Sequence, residues 1–343
     1  MRDLFMISLV GHEISEIEET ILLHPNVGAV ILFTQNYKNP EQLRELIATI
    51  LLVRPDIFIA VDHEGGLVQR FKMHGFRTLP AARVYGEVYD IDINNGGTGA
   101  VGIEFARQSA KTMAEQLLDI GVDLSLAPVL DLHQQNCNVI GKLDRAFHAD
   151  PTIVALLGEA FIIGMQQAGM PAVGKHFPGH GSVSIDSHIG MPVNVLSFEE
   201  LKKTDYKPFA TLIEKQVLQA VMPAHVTYTA IDPDNTAGFS KIWLQNMLRE
   251  ELGFTGMVFS DCLTMEGANI GNLRERAERA LEAGCDMLIV CHQPPELLLE
   301  LLNAVKFETT SASIYRLQKF KAQMRRFVPK QTNASALRFT NQS

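Results

Sequence analysis

The stretch Ile57–Gly66 reads IFIAVDHEGG, a short apolar run that ends abruptly in polar residues and glycines. A run of this length is typical of a strand buried in a parallel sheet. Seven further runs have the same character: Leu4–Val10, Gly28–Phe33, Asp123–Leu130, Ala172–Gly174, Ala220–Met222, Met257–Phe259 and Asp286–Val290. Eight runs, most of them separated by amphipathic segments, predict an α/β fold of one domain, a closed (β/α)8 barrel of the TIM type.

The helices between the runs carry their own start signals. Asn39 and Pro40 open one helix, and Ser197 with Glu200 forms a capping box that opens another. No G-x-G-x-x-G or P-loop string follows the first run, which disfavours a doubly wound nucleotide-binding sheet. We expect residues 1–312 to form the barrel and residues 313–343 to form a C-terminal helix, over 313–327, followed by a polar tail.

Composition limits the possible partners and the compartment. The chain has 343 residues, and 30 basic residues against 39 acidic ones give a net charge of −9. Nucleic acid and anionic membranes are bound by basic surfaces, so neither is expected as a partner. The four cysteines show no regular spacing, and the N-terminus lacks the features of a signal peptide. We therefore expect a cytoplasmic monomer without a disulfide framework.

Polar residues follow six of the eight runs, at the point where each predicted strand ends. They are Asp62 to Gly66, Asp131 and His133, Lys175 and His176, His225, Asp261, and His292. In a barrel the carboxyl ends of the strands form one rim, and active sites are built there. The sequence therefore predicts a functional site at this rim.

Two segments carry the strongest chemical signals. In the segment Lys175–Gly181 and the following Asp186-Ser187-His188, the Asp186 carboxylate can accept a hydrogen bond from the His188 ring and orient it as a general acid. The alternative is a polar loop in which His180 is a structural hydrogen-bonding residue. Asp261 ends a buried strand and could be a nucleophile, a metal ligand, a charge anchor or a helix N-cap. Cys262 is expected to be a passive neighbour, since no basic residue adjoins it.

These strings resemble the family 3 glycoside hydrolases, and more closely their short bacterial β-N-acetylglucosaminidases of peptidoglycan recycling. The resemblance runs from about residue 6 to about residue 292. It rests on KHFPGHG at 175–181 with DSH at 186–188, on VDHEGG at 61–66, on SD at 260–261, on VILFT at 30–34, and on Arg145 followed by FHADP at 147–151.

The resemblance implies a retaining exo-acting enzyme that removes terminal β-linked GlcNAc from muropeptide fragments of the GlcNAc-1,6-anhydroMurNAc type, without a cofactor or a metal. It implies Asp261 as the nucleophile, with His188 as the general acid/base supported by Asp186. Five further residues would bind the terminal sugar: Asp62, Arg70, Arg145, Lys175 and His176.

The sequence departs from the family pattern near two of these residues. Leu67 stands where relatives commonly carry Arg, and Lys142-Leu143-Asp144 lengthens the segment before Arg145. Ala146 replaces a common Ser, and Cys262 occupies a position that is often acidic.

Two alternatives of other classes compete with this hypothesis. One is a metal-dependent barrel hydrolase using His176, His180, His225 and Asp261, although neither H-x-H after the first strand nor H-E-x-x-H occurs. The other is a sugar-binding protein, which would need neither a nucleophile nor a proton donor. Because the overall charge is acidic and the implied substrate can be anionic, we expect positive charge to be concentrated at Arg70, Arg145 and Lys175.

Overall fold

The fold is a nearly closed barrel of eight parallel strands in a computed structural model, which describes residues 3–73, 75–307 and 309–325. The strands are β1 Phe5–Ser8, β2 Val27–Leu32, β3 Phe58–Val61, β4 Leu124–Ser125, β5 Val173–Phe177, β6 Ala220–Pro223, β7 Met257–Cys262 and β8 Met287–Val290. Their spatial order is β4-β3-β2-β1-β8-β7-β6-β5. A parallel bridge between Val129 and Lys175 connects the two edges. The predicted (β/α)8 barrel is confirmed.

Helices surround the strands. They are α1 Glu16–Leu22, α2 Pro40–Val53, α3 Ala82–Asn94, α4 Ala100–Ile120, α5 Pro151–Ala168, α6 Phe198–Lys203, α7 Tyr206–Glu214, a π-helix Ile242–Glu251, α8 Leu273–Ala283, α9 Pro295–Ala304 and α10 Ser311–Lys321. Asn39 and Ser197 cap α2 and α6, as their sequence signals predict. Short strands His63–Gly65 and Val68–Gln69 form a hairpin above β3.

Every strand differs by at least one residue from its predicted run, and the differences in β4, β5 and β7 concern the cavity end of the barrel. β5 continues through Lys175 and His176, and β7 continues through Asp261, so these polar residues lie within strands and not after them. Their backbones keep the strand pairing while their side chains line a cavity. Because these side chains are polar, the length of an apolar run does not predict that the strand continues through them. β4 is shorter than predicted, although backbone hydrogen bonds between residues 127–130 and β5 continue the pairing beyond its end.

The C-terminal helix closes the lower end of the barrel. Phe320 and Met324 belong to the same apolar cluster as Met6 and Phe58, which lie inside the barrel. Lys321 Nζ lies 3.1 Å from Asp3 Oδ2, just before β1, which places α10 beneath the amino ends of the strands. The helix spans Ser311–Lys321, shorter than the predicted 313–327. The boundary at residue 312 stays a prediction, and the predicted polar tail lies outside the described residues.

Within the described part of the chain, α5 is the one helix long and apolar enough to cross a membrane by length and composition. More than half of it is buried in the molecule, where it packs between α4 and α7. The core helix of a barrel has the same length and composition, so α5 is explained by its packing.

Candidate active site

A cavity of about 460 Å³ opens at the carboxyl ends of the strands. All eight residues predicted for the site line it: Asp62, Arg70, Arg145, Lys175, His176, Asp186, His188 and Asp261. They come from β5, β7 and the loops that follow β3, β4 and β5. Residues up to 199 positions apart in sequence, from Asp62 to Asp261, thus meet around one space because parallel strands bring their carboxyl ends to the same rim.

Glu64 is the centre of a buried ion-pair network on one wall of the cavity. It lies 2.8 Å from both Nε and Nη2 of Arg145, a bidentate pair, and 2.7 Å from Lys175 Nζ. Lys175 Nζ also lies 2.7 Å from Asp62 Oδ1. Burial alone would raise the pKa of Glu64, but the charges of Arg145 and Lys175 hold it well below its usual range. The network fixes the positions and orientations of the Arg145 and Lys175 side chains in the cavity wall.

Glu64 was not among the predicted site residues, although it lies in the DHEGG string. The three cations at which we expect positive charge to be concentrated, Arg70, Arg145 and Lys175, all line the cavity. Glu64 and Asp62 pair with Arg145 and Lys175, and Arg70 Nη2 lies 3.7 Å from Asp62 Oδ2, so two carboxylates offset part of this charge. Carboxylates accompany Arg145 and Lys175 for a physical reason, since two cations cannot be buried side by side without anions.

Asp261 differs from the other carboxylates of the cavity. The lining carboxylates are Asp62, Glu64, Asp186 and Asp261. In the described part of the chain, Asp261 alone of these four has no Lys, Arg or His nitrogen within 4.0 Å. Its Oδ1 accepts a hydrogen bond of 2.7 Å from the Cys262 N–H.

The environment favours the charged form of Asp261. Burial raises its pKa, but the nearby His176, His225 and His188 and the Cys262 N–H outweigh burial and lower it. The N-cap interpretation of Asp261 is wrong, because the next helical turn begins only at Glu266 and is preceded by Met265. Asp261 is therefore an ionised, accessible carboxylate.

His188 lies on the loop after β5 and lines the same cavity. Asp186 Oδ1 lies 2.7 Å from its ring Nδ1 and 2.8 Å from its backbone N, so one carboxylate fixes both the ring and the main chain. Hydrogen bonds to His188 hold the pKa of Asp186 below its usual value despite partial burial. The His188 side chain is 56% exposed, which leaves Nε2 available for proton exchange.

A buried aspartate anchors this loop to the barrel. Asp131 binds the His176 ring at 2.7 Å and accepts the backbone N–H groups of His176 and His180 at 3.1 and 2.7 Å. His180 Nε2 lies 3.1 Å from Ser187 Oγ, and burial lowers the pKa of His180 to about 4. His180 is thus the structural hydrogen-bonding residue of the alternative interpretation. Asp131 was noted at a strand end, but its anchoring role has no sequence signal.

The four residues considered as metal ligands do not form a metal-binding group. Across the described residues, no cluster of three or more His, Cys, Asp or Glu side chains has an arrangement that could hold a metal ion. His176 is committed to Asp131, and His225 stacks on Phe239 with ring centroids 5.4 Å apart.

The fold and this site define a glycoside hydrolase. Residues 1–325 match the family described as the glycosyl hydrolase family 3 N terminal domain, and the chain belongs to this family. The resemblance noted in the sequence is therefore confirmed.

Relatives narrow the class further. A β-hexosaminidase from Shewanella frigidimarina is 50% identical over 288 residues, 84% of this chain and 81% of that protein. One from Nitrosomonas eutropha is 44% identical over 320 residues, 93% and 88% of the two chains. NagZ from Neisseria gonorrhoeae, solved with N-trifluoroacetyl-D-glucosamine, superposes with a TM-score of 0.84 at 41% identity, over 93% of this chain and 90% of that one. These similarities support exo-β-N-acetylglucosaminidase activity for the chain.

Proposed function

We propose that the protein is a retaining exo-β-N-acetylglucosaminidase in which Asp261 is the nucleophile. The observation that carries this proposal is the unpaired state of Asp261 among the described residues, since each of the other three lining carboxylates is bound to a cation or a histidine. A free, ionised carboxylate at a fixed strand end can attack the anomeric carbon and form a glycosyl-enzyme intermediate.

His188 would supply the proton that the leaving group needs. In the first step the His188 ring protonates the glycosidic oxygen while Asp261 attacks, and the aglycone departs. In the second step the same ring takes a proton from water, which attacks the intermediate and releases GlcNAc. Asp186 stabilises the imidazolium and fixes the ring through Nδ1. Retaining enzymes commonly use two carboxyl groups, and here the His188–Asp186 pair takes the role of the second.

The remaining predicted residues would bind the terminal sugar. Asp62 and Arg70 are partly exposed in the cavity, at 19% and 31% of their side chains, and can exchange hydrogen bonds with sugar hydroxyl groups. Lys175, His176 and Arg145 are nearly buried and bring donors to the cavity wall. Side chains and water suffice for this reaction, so it requires no cofactor.

We further propose that the substrates are muropeptide fragments of the GlcNAc-1,6-anhydroMurNAc type, cleaved in the cytoplasm by a monomer. The bound N-trifluoroacetyl-D-glucosamine of the gonococcal relative supports a GlcNAc-type sugar at the cavity. The exposure of His188 supports a bulky leaving group, because the proton donor lies at the open side. Turnover of the anhydro-muropeptide should exceed that of chitobiose, and a preference for chitobiose would contradict this choice of substrate.

The nucleophile is tested by replacing Asp261 with Ala. We expect release of p-nitrophenol from the β-GlcNAc glycoside to fall to background, while thermal unfolding shows a folded protein. A fluorinated GlcNAc donor that accumulates the intermediate should label one peptide in the unmodified enzyme, the one containing Asp261. Near-normal turnover by D261A, or label on another carboxylate, would show that Asp261 is not the nucleophile.

A further inference from the structure

Two cysteines lie together at the sugar cavity, and the glycosidase mechanism uses neither of them. Cys262 follows Asp261 at the end of β7, and Cys291 follows the last residue of the adjacent strand β8. Both line the cavity. Their side chains meet in one apolar cluster, where Cys262 packs against the group that includes Cys291, and Cys262 Sγ lies 3.1 Å from Thr264 Oγ1. A reagent that enters the cavity can therefore reach this pair of thiols.

The two thiols are not equivalent. The neighbouring Cys291 and Thr264 side chains lower the pKa of Cys262 although burial opposes them. The neighbouring Cys262 and burial raise the pKa of Cys291 well above its usual value. Cys262 is also partly exposed, whereas Cys291 is 3% exposed. Cys262 is thus the more nucleophilic and more accessible thiol, and its pKa falls without the basic neighbour that usually marks a reactive cysteine in a sequence.

The other two cysteines provide an internal comparison. Cys285 and Cys137 are buried and are not among the residues that line the cavity. Burial raises the pKa of Cys285 well above its usual value, and burial also raises that of Cys137. A small reagent that enters the cavity therefore meets Cys262 first.

Cys262 is also joined to the catalytic carboxylate. Its backbone N–H donates the hydrogen bond of 2.7 Å to Asp261 Oδ1. A covalent bond between the two sulfurs would form on the residue that supplies this donor and would constrain its position. It would also alter the wall of the cavity beside the nucleophile.

We propose that Cys262 and Cys291 form an oxidation site for peroxides, and that closing them into a disulfide stops glycoside hydrolysis reversibly. The Cys262 thiolate attacks one oxygen of hydrogen peroxide, so that an S–O bond forms, the O–O bond breaks and hydroxide leaves to become water. Cys291 then attacks the sulfenic sulfur, an S–S bond forms, and the hydroxyl group leaves as water with the Cys291 proton. Two thiols are oxidised to one disulfide, and one peroxide is reduced to two waters.

The test compares the full-length protein with C262S, C291S and the matched control C285S. Each is treated with hydrogen peroxide, with and without GlcNAc, and residual activity is expressed relative to the same variant untreated. We expect the unmodified protein and C285S to lose activity and regain it with dithiothreitol, and GlcNAc to slow the loss. We expect C262S to be inactivated about tenfold more slowly, since the attacking thiol is missing.

C291S should separate the two steps. Without a resolving thiol, its Cys262 sulfenic acid proceeds to sulfinic acid, so dithiothreitol does not restore activity. Peptide mapping of the oxidised unmodified protein should find Cys262 joined to Cys291, with two of the four free thiols lost. Mapping needs neither a folded variant nor an active enzyme, so it decides the proposal even if a variant fails to fold or if β-GlcNAc glycosides are not the substrates.

Two results would overturn the proposal. One is inactivation of C262S at the rate of the unmodified protein. The other is peroxide-inactivated protein that retains all four thiols or lacks the Cys262–Cys291 link.

Discussion

Glu64 shows at the scale of single residues how this site is built. Its carboxylate binds Arg145 with two hydrogen bonds and Lys175 with a third contact, and all three side chains are less than one-tenth exposed. Each buried cation would be costly alone, and the shared anion offsets that cost. The wall of the sugar cavity therefore depends on a residue that need not touch the reacting atoms.

Replacing Glu64 with Gln should destabilise the protein by about 3–5 kcal/mol, the usual loss when one partner of a buried ion pair is removed. Because the pKa of Glu64 is lower in the folded protein than in the unfolded chain, its contribution is present at neutral pH and is lost as the pH falls below about 4.3. The difference in unfolding free energy between E64Q and the unmodified protein should therefore shrink in acid. The exposed pair of Glu104 with Arg107 offers the control variant E104Q, which should leave stability almost unchanged.

Replacing His188 with Ala should lower kcat by about 100- to 10,000-fold for poor leaving groups, since proton donation is lost. Substrates with acidic phenol leaving groups need less help and should lose less. The check is a series of aryl β-GlcNAc glycosides, in which the rate of H188A should fall steeply with leaving-group pKa. D186N keeps the imidazole and should lose less than H188A. An equal loss for every leaving group would mean that His188 is not the general acid.

At the residue scale, sequence reasoning found most of the groups that line the cavity and missed two that hold them in place. Asp62, Lys175, His176 and Asp261 follow apolar runs, which is a local signal, whereas Arg70, Arg145 and the role of His188 came from the resemblance to the family. Glu64 and Asp131 act through partners 81 and 45 positions away, Arg145 and His176 respectively. Such pairings have no local pattern, because only the closed barrel brings the partners together.

At the scale of elements, the loop after β5 is fixed by contacts along its length. Tyr228 donates from its hydroxyl group to the Gly179 carbonyl at 2.7 Å, and the Gly267 N–H donates to the Ser187 carbonyl at 2.8 Å. Ser182 donates to the carboxylate of Asp205, which stands at the start of α7. The loop that carries His188 is therefore tied to three other elements of the rim.

Replacing Asp205 with Asn should change the stability of the protein more favourably at high pH than at low pH. Burial raises the pKa of Asp205 to about 7, so the folded state binds its proton more tightly than the unfolded chain. The contribution of Asp205 to the free energy of unfolding is fully present below about pH 3.9 and is lost as the pH rises through 7. Asn keeps the hydrogen-bond acceptor and cannot ionise.

Thermal unfolding at pH 5 and pH 8 measures this effect. The change in Tm caused by D205N should be more favourable at pH 8 than at pH 5. D234N, at an exposed position of the short strand Asp232–Thr236, should give the same Tm difference at both values. Equal shifts for D205N at the two pH values would contradict a raised pKa of Asp205.

At the scale of the whole molecule, the two ends of the barrel have separate tasks. The carboxyl ends of the strands carry the cavity, and α10 covers the amino ends, where Phe320 packs on Phe259 with ring centroids 5.4 Å apart. A substitution at the lower end should therefore change stability without changing the chemistry.

Replacing Phe320 with Ala should destabilise the protein by about 3–5 kcal/mol, because it leaves a cavity inside the barrel. The kcat of the remaining folded protein should stay close to that of the unmodified enzyme. Tyr315 lies on the same helix and is 65% exposed, so Y315A should change stability by less than about 0.5 kcal/mol. Chemical denaturation gives the free energies, and a large fall in kcat for F320A would show that the two ends are coupled.

The sequence by itself determined the eight strands, their parallel arrangement and the polar residues at six strand ends, since short apolar runs and the polar residues that follow them are local properties. Only the tertiary structure decided that β5 and β7 extend through Lys175, His176 and Asp261, and that three of the four lining carboxylates are paired. It also brought the Cys262 and Cys291 side chains into one apolar cluster at the cavity. The physical reason is distance: ion pairing, burial and thiol contact depend on neighbours in space, which barrel closure supplies from far along the chain.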